Sequence, residues 1–171
     1  MTSIATVTLL FTDLEGSTEL LRRLGDDKAR LLWRTHFGIL RNAVASRGGQ
    51  EVKNLGDGLM VVFTSARDAI ACAVAMQRAV HRHNRRHEGE LRLQVRVGLH
   101  VGEPIHDEED YFGTPVIAAK RLCDCAQGGQ ILVSETARDI IGATENVEFV
   151  DRGLFQFKGF PEQWRLYEVV W

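Results

Sequence analysis

The sequence predicts an α+β fold: a ferredoxin-like split βαβ core in the order β-α-β-β-α-β, with an added α-β unit and a C-terminal strand pair. Three observations carry that expectation. Two long helical stripes, over residues 17–46 and 65–82, alternate with β-forming runs instead of following one another. Residues 50–63 place a β-forming run on either side of Gly56-Asp57-Gly58, the pattern of a tight hairpin. Leu91, Leu93, Val95, Val97, Leu99 and Val101 alternate with Arg92, Gln94, Arg96, Gly98 and His100, which has the period of a strand. An antiparallel-rich sheet with its helices on one face accommodates this order.

In chain order, Val7–Phe11 reads as a buried strand, and Gly16-Ser17-Thr18 opens the first helix. A break near Gly25-Asp26 separates Leu20, Leu21 and Leu24 from a longer stripe through Leu32, His36, Ile39, Ala43 and Val44. His36 on that face reads as a packed or interface histidine. Arg47-Gly48-Gly49 ends the helix. The second helix turns Ala69, Ala73, Met76 and Val80 to the core, with Met76 as filler. It is followed by the basic run His81–His87. His83 and His87 have a metal-ligand spacing without a third ligand, and a solvated helix end is the plainer reading. Residues 103–110 read as an acidic loop, 114–126 as a helix, 131–133 as a strand and 134–141 as a short helix. Strands near 147–151 and 165–170 close a single domain over 1–171.

Composition narrows the class. With 171 residues, 44% of them hydrophobic, the chain is long enough for a substantial core. A net charge of −2 gives no electrostatic case for nucleic acid or an anionic membrane. No apolar run approaches the roughly 20 residues that span a bilayer. The early first strand leaves no room for a signal peptide. Three cysteines, Cys72, Cys123 and Cys125, suit a reducing cytoplasm and read as buried or half-buried thiols. Cys123-Asp124-Cys125 lacks the partner ligands a soft metal needs.

Two acids stand apart. Asp57 occupies the tip of the Gly-Asp-Gly hairpin, where it fits either a solvated turn or a hard-metal ligand. Asp13 ends a strand just before Gly16 and Ser17 at a helix start. There a carboxylate can hold a cation while free amides and the helix dipole hold phosphate oxygens; simple helix capping is the alternative.

Six strings, in order, resemble the class III nucleotidyl cyclases, the adenylate and guanylate cyclases. They are LFTDLEGST (10–18), VKNLGDG (52–58), VRVGLHVG (95–102), DYFGTPVIAAKRL (110–122), GGQILVSE (128–135) and GLFQFKGF (153–160). The fold of that family's catalytic core agrees with the element order above.

The resemblance implies an adenylate cyclase that makes 3′,5′-cyclic AMP and pyrophosphate from ATP with Mg²⁺ or Mn²⁺, two per site. Asp13 and Asp57 fall on the family's paired metal aspartates, and the Leu14 carbonyl is a further ligand by the same match. Arg121 matches the arginine that stabilises the pentavalent phosphorus. Arg96 and Lys158 match residues that contact the triphosphate. Lys53 and Asp110 stand where adenylate cyclases carry a Lys/Asp pair and guanylate cyclases typically carry Glu and Cys. A lysine only donates and an ionised aspartate only accepts, so the pair suits adenine and opposes guanine. Each site in the family is shared between two chains, so a complete set on one chain implies a homodimer with two sites. One departure is Ile117, where the family usually has asparagine; Thr114-Pro115 before it is also unusual. That departure supports an alternative, a degenerate cyclase homology domain that binds nucleotide or dimerises with little turnover.

Overall fold

The computed structural model describes residues 2–142 and 147–171. The strands are β1 (Thr2–Ile4), β2 (Val7–Leu14), β3 (Gln50–Asn54), β4 (Leu59–Phe63), β5 (Val95–Gly102), β6 (Ile105–Asp107), β7 (Asp110–Phe112), β8 (Ile131–Ser134), β9 (Glu148–Gln156) and β10 (Gln163–Val170). The helices are α1 (Ser17–Leu24), α2 (Asp26–Ser46), α3 (Ala66–Arg86), α4 (Thr114–Cys125) and α5 (Glu135–Ile141), with a 3₁₀ turn at Gly89–Leu91.

Among the described residues, seven strands form one sheet in the order β3-β4-β2-β5-β8-β10-β9. β5 and β8 run parallel, and the other neighbours run antiparallel. Its first four strands, joined through α1–α2 and α3, are the predicted split βαβ core. β2 lies between β4 and β5, and every one of its residues is buried. A strand covered on both faces reads as a nearly continuous apolar run, as Val7–Phe11 does.

That coverage corrects the expectation of helices on one face. Leu10 and Leu14 pack with residues of α2, α3 and α5. Leu9 and Phe11, on the opposite side of the pleat, pack with Ala119 and Cys123 of α4. The approach of α4 is close: a Cβ on Gly98 would stand 2.3 Å from the Cys123 amide nitrogen. Pro115 sits in the first turn of α4, against Gly102, where proline fits a helix start.

Further differences are local. The predicted acidic loop is the β6–β7 hairpin, which pairs with β1; Glu108, at φ 55°, makes its turn. α3 runs on to Arg86 and contains most of the basic run. β5 begins at Val95, four residues later than expected, because the Asn84 side chain bonds both the amide and the carbonyl of Leu93 (2.7 and 2.8 Å). The sheet ends in longer strands than expected, at β9 and β10. No described helix is long and apolar enough to cross a membrane.

Candidate active site

The hairpin joining β3 to β4 is pressed onto the end of β2. Asn54 Oδ1 accepts from the Gly56 amide (2.7 Å), and the Leu55 amide donates to the Gly58 carbonyl (2.8 Å). Thr12 Oγ1 accepts from the Leu59 amide at 2.9 Å. A Cβ at Gly58 would come within 1.8 Å of the Thr12 carbonyl oxygen, so only glycine lets the turn lie this close. The result is that Asp57 stands beside the strand that carries Asp13.

α2 fastens the turn from the other side. Trp33 Nε1 donates to the Gly56 carbonyl (3.2 Å) and His36 Nε2 to the Asp57 carbonyl (2.9 Å). Burial holds His36 below its usual pKa, against the pull of the Asp57 carbonyl and of the Asp57 and Asp13 charges. The neutral ring donates through Nε2, which leaves Nδ1 buried without a partner. Nothing in the sequence marks Trp33, and His36 reads there as a packed or interface histidine. Their i, i+3 spacing does put them on one face of α2, but a bond to a backbone carbonyl leaves no mark in sequence.

Ser17 Oγ donates to Asp57 Oδ2 at 3.1 Å. Helix α1 has Gly16 as its N-cap, with φ 69° and no side-chain cap, so neither Asp13 nor Ser17 caps it. The first amides of α1, from Ser17 onward, have no partner within the helix, an arrangement able to receive an anion.

Asp13 is 4% exposed. Arg96, directly across on β5, donates through Nε and Nη2 to both of its carboxylate oxygens. That fork raises the Arg96 pKa. Lys120 Nζ of α4 lies 4.0 Å from Asp13 Oδ2 and 2.9 Å from Asp124. Burial lowers the Lys120 pKa, but the Asp124 bond and nearby negative charge outweigh it, and the net shift is upward.

Lys53 and Asp110 meet at 3.0 Å. Some desolvation opposes ionisation of Asp110, but the Lys53 bond and the Tyr111 amide outweigh it and hold its pKa below the usual range. A cleft of about 310 Å³ opens beside the pair, lined also by Val52, Glu109 and Phe112. Arg121 and Lys158 line a second cleft of about 410 Å³, where Arg121 Nε reaches the Lys158 carbonyl at 3.4 Å. Phe157 and Phe160, both buried, anchor the turn that carries Lys158. Ile117 lines this cleft and is 49% exposed. One chain thus forms three groups: Asp13, Asp57, Ser17 and Arg96; Lys53 and Asp110; Arg121 and Lys158.

His83 and His87 are not a metal pair. Their rings stack at 4.2 Å, His83 Nε2 is bonded to the Leu91 carbonyl, and His87 Nδ1 to the His83 carbonyl. Among the described residues no three His, Cys, Asp or Glu side chains group to hold a metal. The cysteines are free, Cys72 and Cys123 buried and Cys125 half-buried. Burial pushes the Cys72 thiol up to about 12, leaving it inert at neutral pH.

The fold is an α+β domain whose sheet is covered on both faces, with one acid on a buried strand and a second on the turn pressed against it, beside a helix N-terminus. The family model described as the adenylate and guanylate cyclase catalytic domain matches residues 1–170, and the chain belongs to that family. Among solved structures, an adenylate/guanylate cyclase/hydrolase from Silicibacter pomeroyi superposes with a TM-score of 0.88 at 27% identity, covering 99% of both chains. The adenylyl cyclase CyaB from P. aeruginosa superposes with a TM-score of 0.86 at 25% identity, covering 99% of this chain and 96% of that one. An uncharacterized protein of Mycobacterium tuberculosis is 33% identical over 160 residues, 91% of this chain. The present chain spans only 53% of that relative's length.

Proposed function

We propose that residues 1–171 form one catalytic domain, an adenylate cyclase that works as a cytoplasmic homodimer and converts ATP to 3′,5′-cyclic AMP and pyrophosphate. The observation that carries the choice of ATP is the Lys53–Asp110 pair, held at 3.0 Å beside an open cleft. Lys53 donates to the adenine ring nitrogen, and Asp110 accepts from the exocyclic amine.

The donor set fits a hard divalent cation: two carboxylates and the Leu14 carbonyl, all oxygen. Asp13, Asp57 and Leu14 would hold Mg²⁺ or Mn²⁺, two ions per site. When bound, these lower the pKa of the ribose 3′-hydroxyl and neutralise phosphate charge. The chain's own residues do the rest. The amides of Gly16 and Ser17 receive phosphate oxygens at the start of α1. Arg96 and Lys158 neutralise the triphosphate. The 3′-oxygen attacks the α-phosphorus and gives its proton to solvent water, and pyrophosphate departs with the electron pair of the broken P–O bond. Arg121 of the second chain stabilises the charge that develops on the phosphorus.

Ile117 supports the degenerate-domain reading, since an exposed apolar side chain stands where a hydrogen-bond donor is expected; losing such a donor costs about 10²–10³ in rate. One assay separates the two. The chain is incubated with Mn²⁺ and either ATP or GTP, and cyclic nucleotide is measured. Cyclic AMP from ATP, with at least about tenfold lower kcat/KM for GTP, supports the cyclase reading. No turnover with either nucleotide supports the degenerate one.

A further inference from the structure

Both carboxylate oxygens of Asp13, the atoms a metal would use, accept from a cation of the same chain. Asp13 lies on a strand buried throughout, where an unpaired carboxylate is costly. Across the antiparallel ladder stands Arg96, whose Nε and Nη2 bond Oδ1 and Oδ2 respectively. No oxygen of Asp13 is left without a guanidinium contact. Lys120, 4.0 Å away, cannot replace this fork, because its shorter contact is with Asp124. Arg96 is also free to leave. Its side chain keeps 25% exposure, and its other bond is a 3.4 Å contact to the Asp124 carbonyl.

We propose that Arg96 is a resident counter-cation: it holds Asp13 in the metal-free chain and must release it before a divalent ion can bind. This rests on the reading of Asp13 as a metal ligand. Arg96 is then a positioning residue that acts through Asp13 and sets the metal affinity. A monovalent guanidinium yields to a divalent ion only at a cost, so the affinity of the resting chain is lower than its carboxylates alone would give. Once displaced, the guanidinium is free to meet the incoming triphosphate, so its charge moves from Asp13 to the substrate.

The test is Mn²⁺ binding without nucleotide, followed by the electron paramagnetic resonance signal of free Mn²⁺. Parent, Arg96→Gln, Arg96→Lys and Asp13→Asn chains are compared, with circular dichroism to confirm folding. Arg96→Gln is expected to bind Mn²⁺ at least about tenfold more tightly than the parent, the removal of one adjacent positive charge. Arg96→Lys, a single point donor in place of a fork, is expected to fall between them. Asp13→Asn is expected to bind far more weakly than the parent. Equal or weaker binding by folded Arg96→Gln overturns the proposal; if that chain does not fold, equal or weaker binding by Arg96→Lys overturns it. Undiminished binding by Asp13→Asn, or none by any chain, overturns the metal reading of Asp13 itself, and the proposal with it.

Discussion

A methyl group at position 58 would lie 1.8 Å from the Thr12 carbonyl oxygen, and that distance decides where Asp57 stands. Gly58→Ala must lift the hairpin off β2, at a cost of about 1–3 kcal/mol or more. The expected result is a clear fall in melting temperature together with loss of turnover; an unchanged melting temperature would contradict the packing described. Gly56→Ala differs, because the space there is open and only the backbone, at φ 99°, is strained. At Lys53 and Asp110 the prediction concerns selectivity. With guanine both contacts become unpaired or repulsive, each costing about 1–3 kcal/mol. Lys53→Glu with Asp110→Ala is expected to erode the ATP preference in kcat/KM, and an unchanged ATP/GTP ratio would remove the base-reading role. Asp13, Asp57, Lys53 and Asp110 stood out in the sequence because they fall within strings that resemble the cyclase family. Trp33 and His36 were not, because what they bind is a backbone carbonyl.

At the scale of elements, α2 is the clamp on the turn that carries Asp57. His36→Leu removes the donor to the Asp57 carbonyl, and it also removes the buried, unpartnered Nδ1. These two terms oppose each other in stability, each on the order of 1–3 kcal/mol, so the melting temperature is expected to move little. Turnover is expected to fall about tenfold or more, as Asp57 loses its position. Full activity in a folded His36→Leu chain would show that the clamp is dispensable. The elements the sequence misplaced owe their bounds to partners outside their own stretch. The strand pattern from Leu91 is genuine, but Asn84 takes the ladder bonds of Leu93, and β5 starts after it. The acidic stretch became a hairpin because β1, too short to read, pairs with it.

At the scale of the whole molecule, β5 and β8 meet in the buried pair His100 and Ser134 (2.7 Å). Burial lowers the His100 pKa to about 4. Above pH 6.5 the histidine is neutral folded and unfolded alike. Between pH 6.5 and about 4 the unfolded chain takes up a proton that the native chain refuses, so stability falls with pH, by roughly 2 kcal/mol at pH 5. His36, shifted the same way, adds to that slope. Denaturant titrations from pH 7 to 5 are expected to show the decline, and His100→Gln to flatten it; an identical slope in the variant would contradict the assignment. The βαββαβ order was legible from periodicity, yet helices on both faces were not foreseen, even though the continuous apolar run of β2 carried that signal.

Turnover at sites shared between two copies of this chain can be read by complementation. Cyclic AMP formation from ATP with Mn²⁺ is measured for the parent, for Asp57→Ala, for Arg121→Ala, and for an equal mixture of the two variants. Each variant alone is expected to be inactive. In the mixture half of the dimers are mixed, and each mixed dimer gathers both lesions into one site and leaves the other intact, so about a quarter of the parent rate returns. An inactive parent would rule out the cyclase reading, and a mixture as dead as its components while mixed dimers demonstrably form would rule out shared sites.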